Sequence, residues 1–125
     1  MDTIGLGAGV HDRLKELGYS TADVNVAKRP TTAQKRYREE YVPKFSNLRA
    51  QLWWNLRNFC REYGSIAVDN EKFINEITSP KYKLNSSGEV VIEAKEDMRK
   101  RGIASPNMAD AVCLVLYDQP RFWVM

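Results

Sequence analysis

The sequence has 125 residues and a mass of 14.4 kDa, with 43% hydrophobic and 28% charged residues. That is the size and balance of one globular domain with a modest core, and it excludes a disordered chain. No long apolar run is present, and no basic flank leads into an apolar stretch at the N-terminus, so neither a membrane span nor a secretory signal is expected. The net charge of +3 is unevenly spread. Residues 28–49 hold seven Lys or Arg against two Glu, and residues 95–102 hold four bases against two acids, on an otherwise acidic body. Two such patches suit either a polyanionic partner or an ordinary solvated surface. Cys60 and Cys113 lie inside apolar-periodic segments, which argues against a disulfide framework or a cysteine zinc site and for a reducing cytoplasm. The single His11 excludes any mechanism that needs two histidines.

In chain order, Met1 to Ile4 reads as the end of a strand, and a glycine-rich turn follows it. Val10, Leu14 and Leu17 then recur on one helical face, with Gly18 as the stop. Val24 and Val26 alternate with polar neighbours, which predicts a short strand from Asp23 to Ala27. The basic stretch to Pro43 has no clear period, although Thr32 to Tyr41 has room for a helical turn or two. The strongest pattern predicts a helix from Asn47 to Tyr63. Leu48, Leu52, Leu56, Phe59, Cys60 and Tyr63 share its face, Ser46 or Asn47 caps it, and Gly64 ends it. Ile66 to Val68 reads as a short strand or extended piece. Asn70 to Thr78 reads as a short helix with Phe73, Ile74 and Ile77 inward. Lys81 to Leu84 and Glu89 to Ala94 form a hairpin around Asn85-Ser86-Ser87-Gly88. The last helix, from about Pro106 to Tyr117, is apolar nearly all round, which predicts burial on several sides.

Several groups of residues are able to carry chemistry. Gly5-Leu6-Gly7-Ala8-Gly9 lies between a strand and a helix, where backbone N–H groups are able to meet an anion. The dinucleotide pattern G-x-G-x-x-G is not met, because position 10 is valine. Asp110 is the one acid in the apolar last helix. It must be paired, hydrogen-bonded or metal-bound, or else it complements the helix dipole from the first turn. The run Glu93 to Gly102 sets bases beside acids, which suits a phosphate-bearing substrate near a cation, or an exposed helix with local ion pairs. Trp53 and Trp54 sit beside the core face of the long helix, where core packing is the favoured reading over stacking on bases.

Three motifs, taken in order, carry a resemblance. They are Asp2-Thr3-Ile4-Gly5-Leu6-Gly7-Ala8-Gly9, then Phe45-Ser46-Asn47-Leu48-Arg49-Ala50-Gln51-Leu52-Trp53-Trp54, and last the segment from Ile92 through Lys95, Arg101 and Asn107 to Asp110 and Ala111. Together they resemble the C-terminal nuclease domain of the large terminase subunit of tailed bacteriophages, over Asp2 to about Tyr117. The resemblance implies an α/β chain with an incomplete ribonuclease H-like fold, a central mixed sheet flanked by helices. It implies metal-dependent endonucleolytic cleavage of double-stranded viral DNA during genome packaging. Asp2 matches the family's second acid, at the end of a central strand, and Asp110 its last acid, in the final helix. Both are thereby implied as catalytic residues and as ligands to Mg²⁺ or Mn²⁺, since carboxylates are hard oxygen ligands for such ions. Their carboxylates are expected within roughly 4–8 Å of each other, the spacing that shared ions require. Asn107 departs from the Asp often found at its position and is left a supporting role.

The family's first acid lies upstream of anything in this sequence, and no ATP-binding G-x-x-x-x-G-K-[ST] occurs. The resemblance therefore implies one domain over residues 1–125, the C-terminal part of a terminase nuclease domain, with Glu93 and Asp97 the nearby acids able to stand in. Lys28, Arg29, Lys35, Arg36 and Arg101 are the implied phosphate contacts. The implied partners are double-stranded DNA, the small terminase subunit and the portal, with no membrane, in the cytoplasm of a bacterial host. An unpaired sheet edge further implies a homodimer. The alternative is an inactive prophage remnant that binds DNA or packaging proteins.

Overall fold

The computed structural model describes residues 6–21, 24–31, 43–63 and 70–117. Their elements are α1 (Leu6–Glu16), β1 (Lys44–Phe45), α2 (Leu48–Tyr63), α3 (Glu71–Thr78), β2 (Tyr82–Leu84), β3 (Glu89–Ile92), α4 (Lys95–Lys100) and α5 (Asn107–Val115). The sequence expectations on Met1 to Ile4, Thr32 to Tyr41, Gly64 and Ile66 to Val68 lie outside the described residues.

The long helix α2 organises the rest. Asn47 is its cap, because the Asn47 Oδ1 accepts the Ala50 N–H at 2.9 Å. Two further N–H groups of the first turn are satisfied from the preceding segment: Leu48 N–H donates to Lys28 O at 2.8 Å and Arg49 N–H to Val26 O at 2.9 Å. Gln51, buried on α2, then pins that segment by a two-way exchange with Thr31. Its Nε2 donates to Thr31 O at 2.8 Å and its Oε1 accepts the Thr31 N–H at 2.9 Å. Of the strand predicted at Asp23 to Ala27, the described residues 24–27 do not form an extended strand. Val24 makes a single bridge, and the Asn25 Oδ1 takes the Ala27 N–H at 3.0 Å, turning the chain.

The main core joins Leu48, Leu52, Trp53 and Leu56 of α2 to Val24, Phe73, Ala109 and Cys113. A second cluster of Phe45, Ala50 and Val90 seats the sheet on the same helix. The sheet order is β1-β3-β2, with β1 parallel to β3 and β2 antiparallel to it. The β2–β3 hairpin follows its predicted turn: the Asn85 Oδ1 accepts the Ser87 and Glu89 N–H groups at 3.0 and 2.9 Å, and Gly88 takes the positive φ of 75° that the turn needs. β1, two residues long, had no pattern to announce it.

Two burial expectations are corrected and one holds. Val10 and Leu17 of the α1 region are 53% and 55% exposed, so the predicted apolar face has little cover among the described residues. Ile74 is exposed while Phe73 and Ile77 of α3 turn to the core. α5 packs over most of its circumference, as expected: Ala109 and Cys113 are buried, Met108, Val112 and Leu114 pack against the same core, and the exposed stripe is Asn107, Ala111 and Val115.

Candidate functional site

α5 begins without a capping side chain of its own, because Pro106 occupies the cap position. Glu76 of α3 supplies the missing acceptor. Its Oε2 takes the Met108 N–H at 2.9 Å and the Ala109 N–H at 3.1 Å. A negative charge at a helix N-terminus is also favoured by the helix dipole. Glu76 thereby fixes the turn that carries Asp110.

The Asp110 carboxylate turns to α2 and α4. Its Oδ1 accepts the Trp53 indole N–H at 2.9 Å. Arg49 Nη2 lies 3.7 Å from the same oxygen, too long for a hydrogen bond. Lys95 Nζ is 2.8 Å from Oδ2. Arg49 is held in turn by the residue that follows β3, since its Nη1 donates to Glu93 O at 2.8 Å. Two cations and a neutral donor thus compensate a carboxylate whose side chain is only 22% exposed. Two atoms stay without a hydrogen bond although buried: Asp110 Oδ2, which the Lys95 ammonium approaches off-axis, and Arg49 Nη2.

These groups line a cavity of about 420 Å³ that also includes Asn47, Trp53 and Cys113. Burial, with the nearby Asp110 charge adding and Arg49 offsetting part, pushes the Cys113 thiol up to about 12. A thiol so poised stays protonated and is not a nucleophile. Asp110 is the one acid of this lining, and the Lys95 ammonium at 2.8 Å already pairs its Oδ2. Among the described residues, no group of three or more His, Cys, Asp or Glu is placed to hold a metal.

A second cluster lies at the outer end of the hairpin. Arg101 grips Glu93 through Nε at 2.7 Å and Nη2 at 2.8 Å, and Nη2 also donates to Ser79 O at 2.6 Å. The Lys81 N–H donates to the same Glu93 carboxylate at 3.1 Å. The Arg101 hydrogen bonds, with the Lys81 N–H assisting, hold the Glu93 carboxyl down at about 2. Glu93 therefore shows its carbonyl to Arg49 and spends its carboxylate on Arg101. Asp97 sits exposed, 3.8 Å from Lys100.

Of the residues singled out in the sequence, Asp110 lies in the cavity. Arg101 is engaged as a clamp on Glu93. Lys28 and Arg29 are exposed on the segment that Val26 ties to the cavity wall. Asn107 opens α5. Asp2, Lys35 and Arg36 lie outside the described residues, and so does the expected approach of Asp2 to Asp110. Sequence reasoning missed Glu76, which has no local signal. It counted Arg49 only as part of a basic patch. It saw Trp53 as core packing, which is right for the ring, since that residue is 7% exposed, but leaves out the N–H.

No protein-family model matches the sequence, and no curated protein sequence matches it. Solved structures do. The nuclease domain of the large terminase subunit gp2 of bacterial virus Sf6 is similar with a TM-score of 0.69 and 23% identity, over 94% of this chain and 64% of that one. A mutant form with manganese and beta-thujaplicinol gives 0.68 and 22% over the same shares. A mutant form with calcium gives 0.67 and 22%, over 94% of this chain and 63% of that one. This chain thus spans somewhat less than two thirds of the length of those domains. A three-stranded mixed sheet flanked by helices, similar over nearly all of the chain to these structures, gives it the α/β, ribonuclease H-like fold of a phage terminase nuclease domain.

Proposed function

We propose that this chain serves in divalent-cation-dependent endonucleolytic cleavage of double-stranded viral DNA during genome packaging. The observation that carries the reading is Asp110: a part-buried carboxylate lining the cavity of a fold that is similar to solved terminase nuclease domains. Asp110 and Asp2 are the proposed ligands to Mg²⁺ or Mn²⁺. The solved neighbours that hold manganese or calcium support a divalent ion. Such an ion supplies stabilisation of charge on the attacking and leaving oxygens of the phosphodiester. The chain's own residues do the rest. Glu76 holds the α5 turn, Trp53 orients Asp110, and Arg49 and Lys95 keep positive charge beside it. Lys28, Arg29, Lys35 and Arg36 are the proposed phosphate contacts. Arg101 contributes its charge from within its clamp. The proposed partners are double-stranded DNA, the small terminase subunit and the portal, in the cytoplasm of a bacterial host. A homodimer is part of the proposal, supported by the exposed Tyr82 and Leu84 on β2. Among the described residues, no helix is long and apolar enough to cross a membrane.

The test pairs Mn²⁺ titration with plasmid nicking. Asp110→Asn keeps an oxygen for the Trp53 N–H, so its fold should persist while its charge is lost. Mn²⁺ uptake by the unaltered chain, strongly weakened in Asp110→Asn, is the expected result; equal uptake by both overturns the assignment. Cleavage of supercoiled DNA is expected to be weak, better with Mn²⁺ than Mg²⁺, and lost in Asp2→Asn and Asp110→Asn. Cleavage that survives both changes marks a contaminating nuclease. Salt-sensitive DNA retention without Mn²⁺ uptake would leave a binding module in place of an enzyme.

A further inference from the structure

We infer that the cavity lined by Arg49, Lys95 and Asn47 is an oxyanion site that needs no metal: Lys95 and Asn47 contact a phosphate group there, and the buried charge of Arg49 holds it. The charge balance of the lining carries the inference. Two cations, Arg49 and Lys95, face one acid, Asp110. That acid is taken first by Lys95, whose Nζ lies 2.8 Å from Oδ2, and by the Trp53 N–H, 2.9 Å from Oδ1. Arg49 is left further off, 3.7 Å from Oδ1. Its Nη1 is spent on a neutral carbonyl, Glu93 O, and its Nη2 is buried without a hydrogen bond. A guanidinium does not give up its proton in a protein. This side chain, 14% exposed, therefore keeps a full charge that no acid of the described lining meets at hydrogen-bond distance, and such a charge is costly without a counter-ion. The Trp53 ring, 5.9 Å from the guanidinium, offsets only part of it. The donors that would touch an anion are on the same wall. The Lys95 side chain is 44% exposed, and its ammonium has three N–H groups, more than Asp110 needs. Asn47 spends its Oδ1 on the Ala50 N–H, so what remains to it is the Nδ2 donor. A phosphodiester carries one negative charge, which matches the surplus, and its oxygens accept from ammonium and amide alike. Free phosphate shares that chemistry. The inference goes beyond the proposed cleavage, because it uses no metal and stands whether or not Asp110 binds one.

Binding is measured in EDTA, with a labelled DNA duplex and with inorganic phosphate. The chains compared are the unaltered one, Arg49→Gln, Lys95→Gln and Lys72→Gln, with thermal unfolding run in parallel. Lys72→Gln makes the same charge change on exposed α3, outside the cavity lining. Affinity in Arg49→Gln and Lys95→Gln should fall about tenfold or more, the effect of losing a charge-assisted contact. The slope of log affinity for the duplex against log salt should drop by about one in each. Lys72→Gln should stay within about twofold of the unaltered chain. Full affinity in folded Arg49→Gln and Lys95→Gln overturns this inference and leaves the cleavage reading standing. An equal loss in Lys72→Gln also overturns it, because overall charge would then explain the binding. Arg49→Gln gives up the bond to Glu93 O as well, so a second readout uses the unaltered chain alone. The Arg49 guanidinium and Asn47 amide resonances should shift and saturate as inorganic phosphate is added in EDTA, and stay still in chloride of equal ionic strength. Resonances that do not respond to phosphate overturn the inference. The same shifts with the duplex assign the site to the nucleic-acid strand, and shifts with inorganic phosphate alone assign it to the free ion. Phosphate binding in a chain that takes up no Mn²⁺ removes the metal reading and leaves this site standing.

Discussion

Glu76 is the residue on which the geometry of α5 depends, and its removal should be felt twice. One carboxylate oxygen accepts the Met108 and Ala109 N–H groups at 2.9 and 3.1 Å, at a helix start with no side-chain cap of its own. Glu76→Ala takes away that shared acceptor and the favourable charge at the N-terminal end. Loss of a helix cap costs about 1 kcal/mol and the dipole contribution adds about 0.3–1 kcal/mol, so a total near 2 kcal/mol is reasonable for two part-buried donors. For a domain of this size that corresponds to a fall in Tm of about 6–10 °C. Glu76→Gln keeps an acceptor oxygen and loses only the charge, so it should cost about 0.3–1 kcal/mol. The expected order is unaltered chain, then Gln, then Ala, by thermal unfolding followed by circular dichroism and by urea midpoints. Mn²⁺ affinity should fall in the same order, because Asp110 stands in the turn that Glu76 holds. A Glu76→Ala variant that melts within about 1 °C of the unaltered chain, against the several degrees expected, would show that α5 does not need this acceptor.

Three further outcomes are expected. Met98 is 0% exposed on α4, and Met98→Ala should cost about 2–5 kcal/mol in urea unfolding through the cavity it leaves. The Glu93 carboxyl ionises near 2 in the folded chain and in the ordinary carboxylate range, about 4.3, when unfolded. Its contribution is therefore complete above that range and is lost as pH falls toward 2, so unfolding free energy should drop more steeply between about pH 4.5 and 2 in the unaltered chain than in Glu93→Gln. Burial and the Asp110 charge keep the Cys113 thiol protonated, so iodoacetamide at pH 8 should leave Cys113 unlabelled by mass spectrometry until the chain is unfolded.

Patterns with a local cause were legible in the sequence. Asn47, one of two caps expected for α2, caps it because its side chain reaches the Ala50 N–H three residues on. The Asn85–Gly88 turn carries its own hydrogen bonds and its own positive φ. What failed was burial, which is set by what packs across. Ile74 follows Phe73 in an equally apolar stretch, yet only Phe73 and Ile77 meet α5 and the core. Val115 lies in a helix that is otherwise apolar and packed, and it is exposed because it falls on the one stripe, with Asn107 and Ala111, that the core does not cover. β1 pairs with β3 across more than forty residues of chain, a contact with no trace in either segment alone.

Asp110 shows how the same limit applies to the site. From sequence, an acid in the first turn of an apolar helix has two uses: it complements the helix dipole, or it serves a partner elsewhere. The choice depends on whether the helix N-terminus is already satisfied, and nothing near Asp110 in the chain answers that. The answer comes from Glu76, more than thirty residues earlier, which takes the Met108 and Ala109 N–H groups. With the dipole end served, the Asp110 carboxylate is free to face Trp53, Arg49 and Lys95 on two other elements. A structural acid on α3 thus releases a second acid on α5 for the cavity. The division of labour predicts that Glu76→Ala should draw Asp110 toward the vacated N–H groups. If it does, the Trp53 indole N–H resonance will move even before any cation is added; an unmoved resonance would mean that Trp53 alone holds the carboxylate in place.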